Sequence, residues 1–456
     1  MDAIHVPLVI VGAGGTGLAA ALAAADRGIE VLVIERDPTP LGSTAMSTGL
    51  IPAAGTPEQA AEGVEDSPER FTRDILAKTK GATDAAMARR MADESADTVA
   101  WLRDRHDVPL ALVGGFLYPG HSARRMYGTP NRTGGELMAA LESAAERMGV
   151  MVLTEAAARD LQREGDRVTG LTVERRDGTV ETISCDALIL ACSGFGGAAD
   201  LVARYIPDMA DAVFHGHPGN RGDALRWGRE MGAALADLGA YQGHGGLAVG
   251  HGVPILWPLI MEGGFQVNAA GERFSNEATG YSEQAARVNA QPGHVAWSIF
   301  DARLHALMLA FDDYQDALRA GAIMQADTIG ELAEKARLPT DALAATVEAV
   351  AAMTRGEALD PFGRDFTGKA ELAGPWYAAK VTGALFHTQG GLVVDRDARV
   401  LKADGTPFPN LFAGGGAARG VSGPGADGYL AGNGLLAATT LGKLAGRAAA
   451  RLLDRD

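Results

Sequence analysis

Cysteine is nearly absent: Cys185 and Cys192 are the only two in 456 residues, and they form neither a CxxC nor a CxxCH pattern. That removes c-type haem attachment, a cysteine-held iron–sulfur cluster and a disulfide framework, and it fits a reducing cytoplasm. Positive charge is also short, with 41 Lys and Arg against 57 Asp and Glu and a formal net charge of −16. Such a balance disfavours a nucleic-acid backbone or an anionic membrane surface as partner. The one long uncharged run, Leu8 to Ala25, has no basic segment before it and is broken by glycines. We therefore read it as neither a signal peptide nor a membrane span, and expect no membrane insertion. There is no internal repeat and no Pro/Ser-rich tether. The 60 glycines are dispersed among apolar and charged segments, a pattern of many turns rather than low complexity.

What is present begins at Val6. An apolar run meets Gly12-Ala13-Gly14-Gly15-Thr16-Gly17, a small-residue helix follows, and a second apolar run from Val31 ends at Glu35 and Arg36. Strand, glycine turn, helix, strand and acid, with the acid about 20 residues beyond the turn, is the order of a dinucleotide-binding βαβ unit. Gly12 permits the tight turn, Gly14 lets the backbone approach a pyrophosphate, and Gly17 brings helix and strand together, so that the helix N-terminus faces the phosphates. Glu35 is placed to accept from ribose hydroxyls.

The loop Gly42-Ser43-Thr44-Ala45-Met46-Ser47-Thr48-Gly49 is small and rich in hydroxyls, suited to wrapping a flat polar cofactor. Amphipathic helices are expected over 66–105 and 133–150, followed by strands with a hairpin at Asp177-Gly178. The strand Ala187 to Cys192 runs into a second glycine turn at Ser193-Gly194. From about 200 to 380 the texture changes to helices, loops and isolated aromatics, which reads as an inserted domain. The tail returns to the first texture, with a β-meander over 390–420 and a long small-residue helix from Asn433 to Leu452. The expected fold class is α/β: a Rossmann-like domain (βαβ with β-meander) over 1–205 and 383–456, interrupted by an α+β cap domain over 206–382.

Together these pieces resemble the flavoprotein subunit family of succinate dehydrogenase and fumarate reductase, in the branch with soluble fumarate reductases and 3-ketosteroid dehydrogenases. The resemblance runs almost end to end and rests on GAGGTG with Glu35, GSTAMSTG, ALILACSGFGG, AYQGH, GERFSNEATGYSEQAARV, FHTQGGL and NLFAGGGAARGVSGPGADGYLAGNGL. It implies FAD as cofactor, held by Gly12, Gly14, Thr16, Gly17, Glu35, Arg36, Gly42, Ser43, Thr44, Thr48, Gly49, Ser193, Gly194, Gly415, Gly434 and Leu435. Ser43 stands where membrane members carry the histidine that bonds FAD covalently, so a noncovalent flavin is expected. Gly416 stands where the family has a glutamate on the ribityl chain.

In the substrate region the resemblance implies His244 and His387 at the two histidine positions of fumarate reductases. The two arginines of those enzymes fall on Tyr281 and Tyr429. Loss of both arginine forks removes charge-assisted bonds worth about 1.5–3 kcal/mol each, which makes a dicarboxylate a poor substrate. Ketosteroid dehydrogenases carry a tyrosine at the Tyr281 position, where it takes the proton α to a carbonyl. Those that desaturate the 4,5 bond carry one resembling Tyr429, although Ala431 replaces their serine. Gly423 and Asp427 differ from the 1,2-desaturating pattern. Tyr118, in FLYPG, is a further tyrosine expected at the site.

The resulting expectation is an FAD-dependent dehydrogenase forming a C=C next to a ketone of a cyclic or steroid-like small molecule, with an external electron acceptor or donor. The same chemistry reversed, reduction of an activated alkene, stays open, as does a flavoprotein that has lost its reaction. Trp257 reads as core, and Arg124 and Arg125 as solvated.

Overall fold

The computed structural model describes residues 4–114 and 117–454. The chain forms two compact units. The first takes in the residues up to Ile206, Gly216–Tyr241 and those from His387 on; the second is Pro207–His215 with Gln242–Phe386.

The first unit is built on a sheet in the order Arg399–Leu401, Pro407–Ala413, Val180–Leu190, Ile4–Val11, Val31–Ile34 and Met151–Leu153. From Pro407–Ala413 to Met151–Leu153 every pairing is parallel. Their sequences are near-continuous runs of Val, Ile and Leu because both faces are covered; Leu8, Val9 and Ile10 have no exposed surface. The hairpin expected at Asp177-Gly178 joins Arg167–Arg175 to Val180–Leu190, and Ala156–Glu164 adds a third antiparallel strand.

The helices Gly15–Ala25 and Asn433–Leu453 pack against each other at backbone distance. A Cβ on Gly442 would lie 2.5 Å from the Thr16 carbonyl oxygen, and one on Gly446 2.1 Å from that of Ala20. Small residues on both helices therefore serve close approach, and the large side chains Leu436, Leu441 and Leu444 fill the sheet side.

One expectation, the bounds of the inserted segment, is corrected. Gly391–Leu392 pairs with Leu235–Ala236 in a separate two-stranded sheet, while the chain just beyond it enters the expected meander, Val394 bridging Val400 antiparallel ahead of the hairpin of Arg399–Leu401 with Pro407–Ala413. Through that pairing, and the packing of the Asp223–Glu230 helix on Leu392 below Gly228, residues 216–241 belong with the first unit instead of the inserted segment.

The second unit centres on the strand Trp376–Thr388, most of which lies in this unit. It pairs with Val295–Asp301 and Ile323–Ala326 antiparallel and with Val213–Phe214 parallel. Phe300, Tyr314, Trp257 and Leu304 form one apolar cluster, Trp297, Phe265 and Leu332 another. Trp257 is core, as expected, at 4% exposure. Among the described residues no helix is long and apolar enough to cross a membrane.

Candidate functional site

Three turns leave the carboxyl ends of adjacent parallel strands in the first unit, where open α/β sheets bind ligands. They start at Gly12, Ser193 and Gly414 and touch one another. A Cβ on Gly416 would meet the Gly194 nitrogen at 2.7 Å, and one on Gly415 would meet Thr16 Oγ1 at 2.2 Å. Gly12 has φ +105°, and its Cβ would lie 2.5 Å from the Ala191 carbonyl oxygen; a Cβ on Gly17 would lie 1.8 Å from that of Gly12. These glycines are demanded by the protein's own packing. Gly14 is not: a Cβ there meets only Thr44 Oγ1, at 4.0 Å. The bare backbone at Gly14 faces room that the protein leaves unfilled.

Around this turn the expected cofactor residues are fixed by local bonds. The Glu35 carboxylate accepts from the backbone N–H groups of Ala13 and Asp37 at 2.8 and 2.9 Å. Arg36 pairs with Asp223 at 3.0 Å. Thr44 Oγ1 accepts from the Gly15 N–H at 3.1 Å, and Ser43 Oγ from the Asn220 side-chain amide at 2.9 Å. Gly42 and Gly49 both have positive φ, and a Cβ on Gly49 would strike the Thr133 carbonyl oxygen at 2.6 Å. Thr48 is exposed. Ser193, at φ +65°, sits in the left-handed region that non-glycine residues seldom adopt, and a Cβ on Gly194 would overlap Thr388 Oγ1.

Both long helices here begin without a side-chain cap and without an acid in the first turn. The Gly15 N–H at the first start is taken by Thr44 Oγ1, and Gly432 and Gly434 at the second bond Tyr429, but neither start has an acid in its first turn to offset the positive dipole end. At the second of them, Gly432 (φ +85°) turns the chain, Gly434 and Leu435 follow, and the buried Asn433 leaves its Oδ1 without a partner among the described residues. An open backbone at Gly14, two helix starts with no acid in the first turn and an orphaned acceptor fit FAD, which is long, flat and anionic in its middle.

At the same helix start stand His387 and Tyr429, ring centroids 5.7 Å apart and edge to face. His387 is half-buried, with its ring against the bare backbone of Gly434. Its Nδ1 lies 3.1 Å from Gln389 Nε2. Burial pushes its imidazole down to about 4. Tyr429 is buried, and desolvation raises its phenol above the ordinary value, opposed by backbone bonds from Gly434 and Gly432. It is a neutral hydroxyl at ordinary pH.

Tyr118 lies on a turn that packs on Leu430, the residue after Tyr429, through Gly120, and burial pushes its phenol up to about 12. Phe116 of the same motif lies outside the described residues. Beneath the turn is a cluster the sequence did not disclose. Arg125, read as solvated, is wholly buried and pairs with Asp66 at 2.9 Å and Asp74 at 2.6 Å. It also donates to His121 Nδ1 at 2.9 Å, and His121 Nε2 donates to the Ala431 carbonyl at 2.9 Å. An arginine only donates, so His121 is neutral, with its proton on Nε2. The cluster clamps the backbone that carries Tyr429.

In the second unit His244 stacks between Tyr281 (5.4 Å, 27°) and Phe386 (5.4 Å, 14°), with Trp257 edge-on at 5.7 Å. His244 Nδ1 accepts from the Gly246 N–H at 3.0 Å, which leaves the proton on Nε2. Burial, with His215 adding to it, pushes its imidazole down to about 3. Tyr281 opens the helix Tyr281–Asn289 directly after Gly280 (φ +151°) and is half-buried. The neighbouring arginines are committed elsewhere: Arg273 to Glu277 and Asp360, Arg364 to Glu277.

A profile of the FAD binding domain matches residues 8–435. The chain is similar to the NADH:fumarate oxidoreductase of Klebsiella pneumoniae, 29% identical over 97% of this chain and 47% of that protein. It is also 29% identical to the fumarate reductase (cytochrome) of Shewanella frigidimarina, over 99% of this chain and 78% of the relative. It thus spans about half of the first relative's length. Among solved structures, the open conformation of a flavocytochrome c3 fumarate reductase superposes with a TM-score of 0.84 at 27% identity, over 99% of this chain and 79% of that one. The 3-ketosteroid-Δ4-(5α)-dehydrogenase of Rhodococcus jostii RHA1 shares the fold, with a TM-score of 0.77 at 23% identity over 98% and 97% of the two chains.

Proposed function

The chain belongs to the FAD binding domain family and is an FAD-dependent oxidoreductase; from that premise we propose that it forms a C=C bond next to a ketone in a cyclic or steroid-like substrate. The observation that carries this reading is Tyr281. It occupies the position at which the family resemblance calls for an arginine, its ring stacked on His244 and facing Trp257. Arg273 and Arg364 of the same unit are held by Glu277 and Asp360, and the groups stacked around His244 are aromatic, where a dicarboxylate needs guanidinium forks.

FAD, when bound, supplies the hydride acceptor. Tyr281, as its phenolate, takes the proton α to the carbonyl, which the ketone acidifies, and becomes the neutral phenol. Tyr429, whose buried phenol stays protonated, donates to the carbonyl oxygen. His387 and His244 are polar anchors, and Tyr118 supports the Tyr429 segment. The flavin is held noncovalently, since Ser43 offers no imidazole to bond it.

Anaerobic mixing of the FAD-loaded protein with cyclic ketones should bleach the yellow flavin band, and fumarate should give no turnover in either direction. Tyr281→Phe should slow bleaching by about 10²–10⁴, the usual worth of a positioned acid or base. If no ketone bleaches the flavin and the Phe variant matches wild type on its true substrate, the proposal fails.

A second reading is favoured by the relative named a fumarate reductase: reduction of an activated alkene, with Tyr281 as proton donor and electrons from an external partner. Turnover of a neutral enone with reduced viologen, faster than desaturation of the saturated ketone, would select this direction.

A further inference from the structure

Which nitrogen of a buried histidine carries the proton is set by what the other nitrogen faces, and around His387 that partner is itself the end of a chain. The Asn433 side-chain amide nitrogen donates to Ser422 Oγ at 3.4 Å. Ser422 then directs its hydroxyl proton to Gln389 Oε1 at 3.0 Å. With its oxygen so engaged, the Gln389 amide presents its nitrogen to His387 Nδ1 at 3.1 Å, nearer than the Thr388 carbonyl oxygen, which stands 3.5 Å from the same ring nitrogen. Asn433, Ser422 and Gln389 are all buried, at 0, 1 and 5% exposure, so no bulk water is at hand to reverse the sequence of donors and acceptors.

We propose that Gln389 is a positioning residue that fixes His387 as a neutral Nε2–H donor, so that this histidine hands a hydrogen bond to a carbonyl oxygen of an uncharged substrate and does not shuttle a proton. The inference rests on the reading of His387 as a substrate anchor and narrows it. A ring whose Nδ1 already receives a proton must carry its own on Nε2. The surroundings favour that state. The ring abuts the start of the Asn433–Leu453 helix, whose positive end opposes a second proton on the imidazole. A Cβ on Gly434 would lie 3.1 Å from Nε2, so the glycine keeps that edge of the ring clear. In the second unit the Gly246 N–H imposes the same polarity on His244 through a backbone donor that cannot turn round. Neither histidine offers the cationic pair of donors that a carboxylate prefers; each offers one neutral donor, which suits a ketone.

The test uses the full FAD-loaded chain labelled with ¹⁵N-histidine and long-range ¹H–¹⁵N correlation spectra at neutral pH, with His387 assigned by its disappearance in His387→Gln. The expected spectrum has Nδ1 bare and Nε2 protonated, and adding 2-cyclohexenone should shift the Hε2 resonance while fumarate leaves it in place. Gln389→Glu, whose carboxylate only accepts, should move the proton to Nδ1 and lower turnover at least tenfold. Should that variant not fold, Ser422→Ala removes the link that orients the amide and should give a mixture of both tautomers. A wild-type His387 protonated on Nδ1 or on both nitrogens, or a Gln389→Glu variant that keeps Nε2–H, overturns the proposal. If the tautomer is as expected but His387→Gln turns over like wild type, it is the reading of His387 as an anchor that falls, and the hydrogen-bond chain stands.

Discussion

Glycines in the first turn are of two kinds, and substitution should separate them. Ala at Gly17 places a methyl 1.8 Å from the Gly12 carbonyl oxygen, a backbone atom that cannot move aside, so Gly17→Ala should lower the thermal midpoint of the apoprotein. Ala at Gly14 meets nothing closer than 4.0 Å; the apoprotein should melt as wild type, while FAD affinity falls tenfold or more, roughly 1.4 kcal/mol, because the methyl enters the space a pyrophosphate needs. Flavin fluorescence titration and apoprotein melting read the two effects apart, and a Gly14→Ala protein that binds FAD normally would show that the phosphates lie elsewhere. The spacing of these glycines and of Glu35 was legible in the sequence because the turn is local. Arg125 was not legible: its partners Asp66 and Asp74 lie 59 and 51 positions away, and nothing about two adjacent arginines announces a wholly buried ion cluster. Gln389 lay inside a motif that was read, FHTQGG, but its role depends on Ser422 and Asn433, which only the fold brings to it.

Elements with a clear period and a cap were readable in advance. The helices Pro68–Lys78, Ala85–His106 and Gly134–Arg147 start behind Ser67, Asp84 and Thr133, each accepting from a backbone N–H in the first turn. Strands of two residues carry no period, which is why the pairing of Gly391–Leu392 with Leu235–Ala236, and with it the place of residues 216–241 in the first unit, was not legible. The C-terminal helix was read as a helix, but the reason for its small residues lies across the interface with Gly15–Ala25. That reason can be tested within the element. Gly446→Ala drives a methyl to 2.1 Å from the Ala20 carbonyl oxygen and should destabilise by about 1–3 kcal/mol, the usual cost of overpacking. Gly330→Ala, in the helix Ile329–Ala336, meets Thr340 Cγ2 at an ordinary 3.8 Å and should be neutral or gain about 0.5 kcal/mol from helix propensity. The urea midpoint should fall for Gly446→Ala and hold or rise for Gly330→Ala; a Gly446→Ala protein as stable as wild type would mean that the helix pair is not held at backbone contact.

At the scale of the whole molecule, net charge −16 suggests that acid should relieve self-repulsion and stabilise the fold as the pH falls from neutral. Buried histidines argue the other way, and they decide the range above pH 4. Three with the largest shifts are neutral in the fold: His121 and His387 in the first unit, both pushed down to about 4 by burial, with Arg125 adding to it at His121, and His244 in the second, pushed down to about 3. In the unfolded chain all three return to about 6.5 and take up a proton first. Their contribution to stability is therefore complete above pH 6.5 and is lost as the pH falls toward the folded values, at up to about 1.4 kcal/mol per pH unit for each histidine. Carboxylates held low by ion pairs, such as Asp26 and Asp97, add their losses only nearer pH 4, where an ordinary aspartate begins to protonate. The midpoint of the apoprotein should accordingly drop between pH 6.5 and 4.5, against the trend that net charge alone predicts. His121→Gln isolates one of these terms, since the amide can accept from Arg125 and donate to the Ala431 carbonyl without titrating. That variant should lose markedly less stability across the same window, with both proteins equal or nearly so at pH 8. Parallel pH curves for wild type and variant would show that His121 does not enter the fold neutral, and with that the clamp on the Tyr429 segment would lose its single fixed polarity.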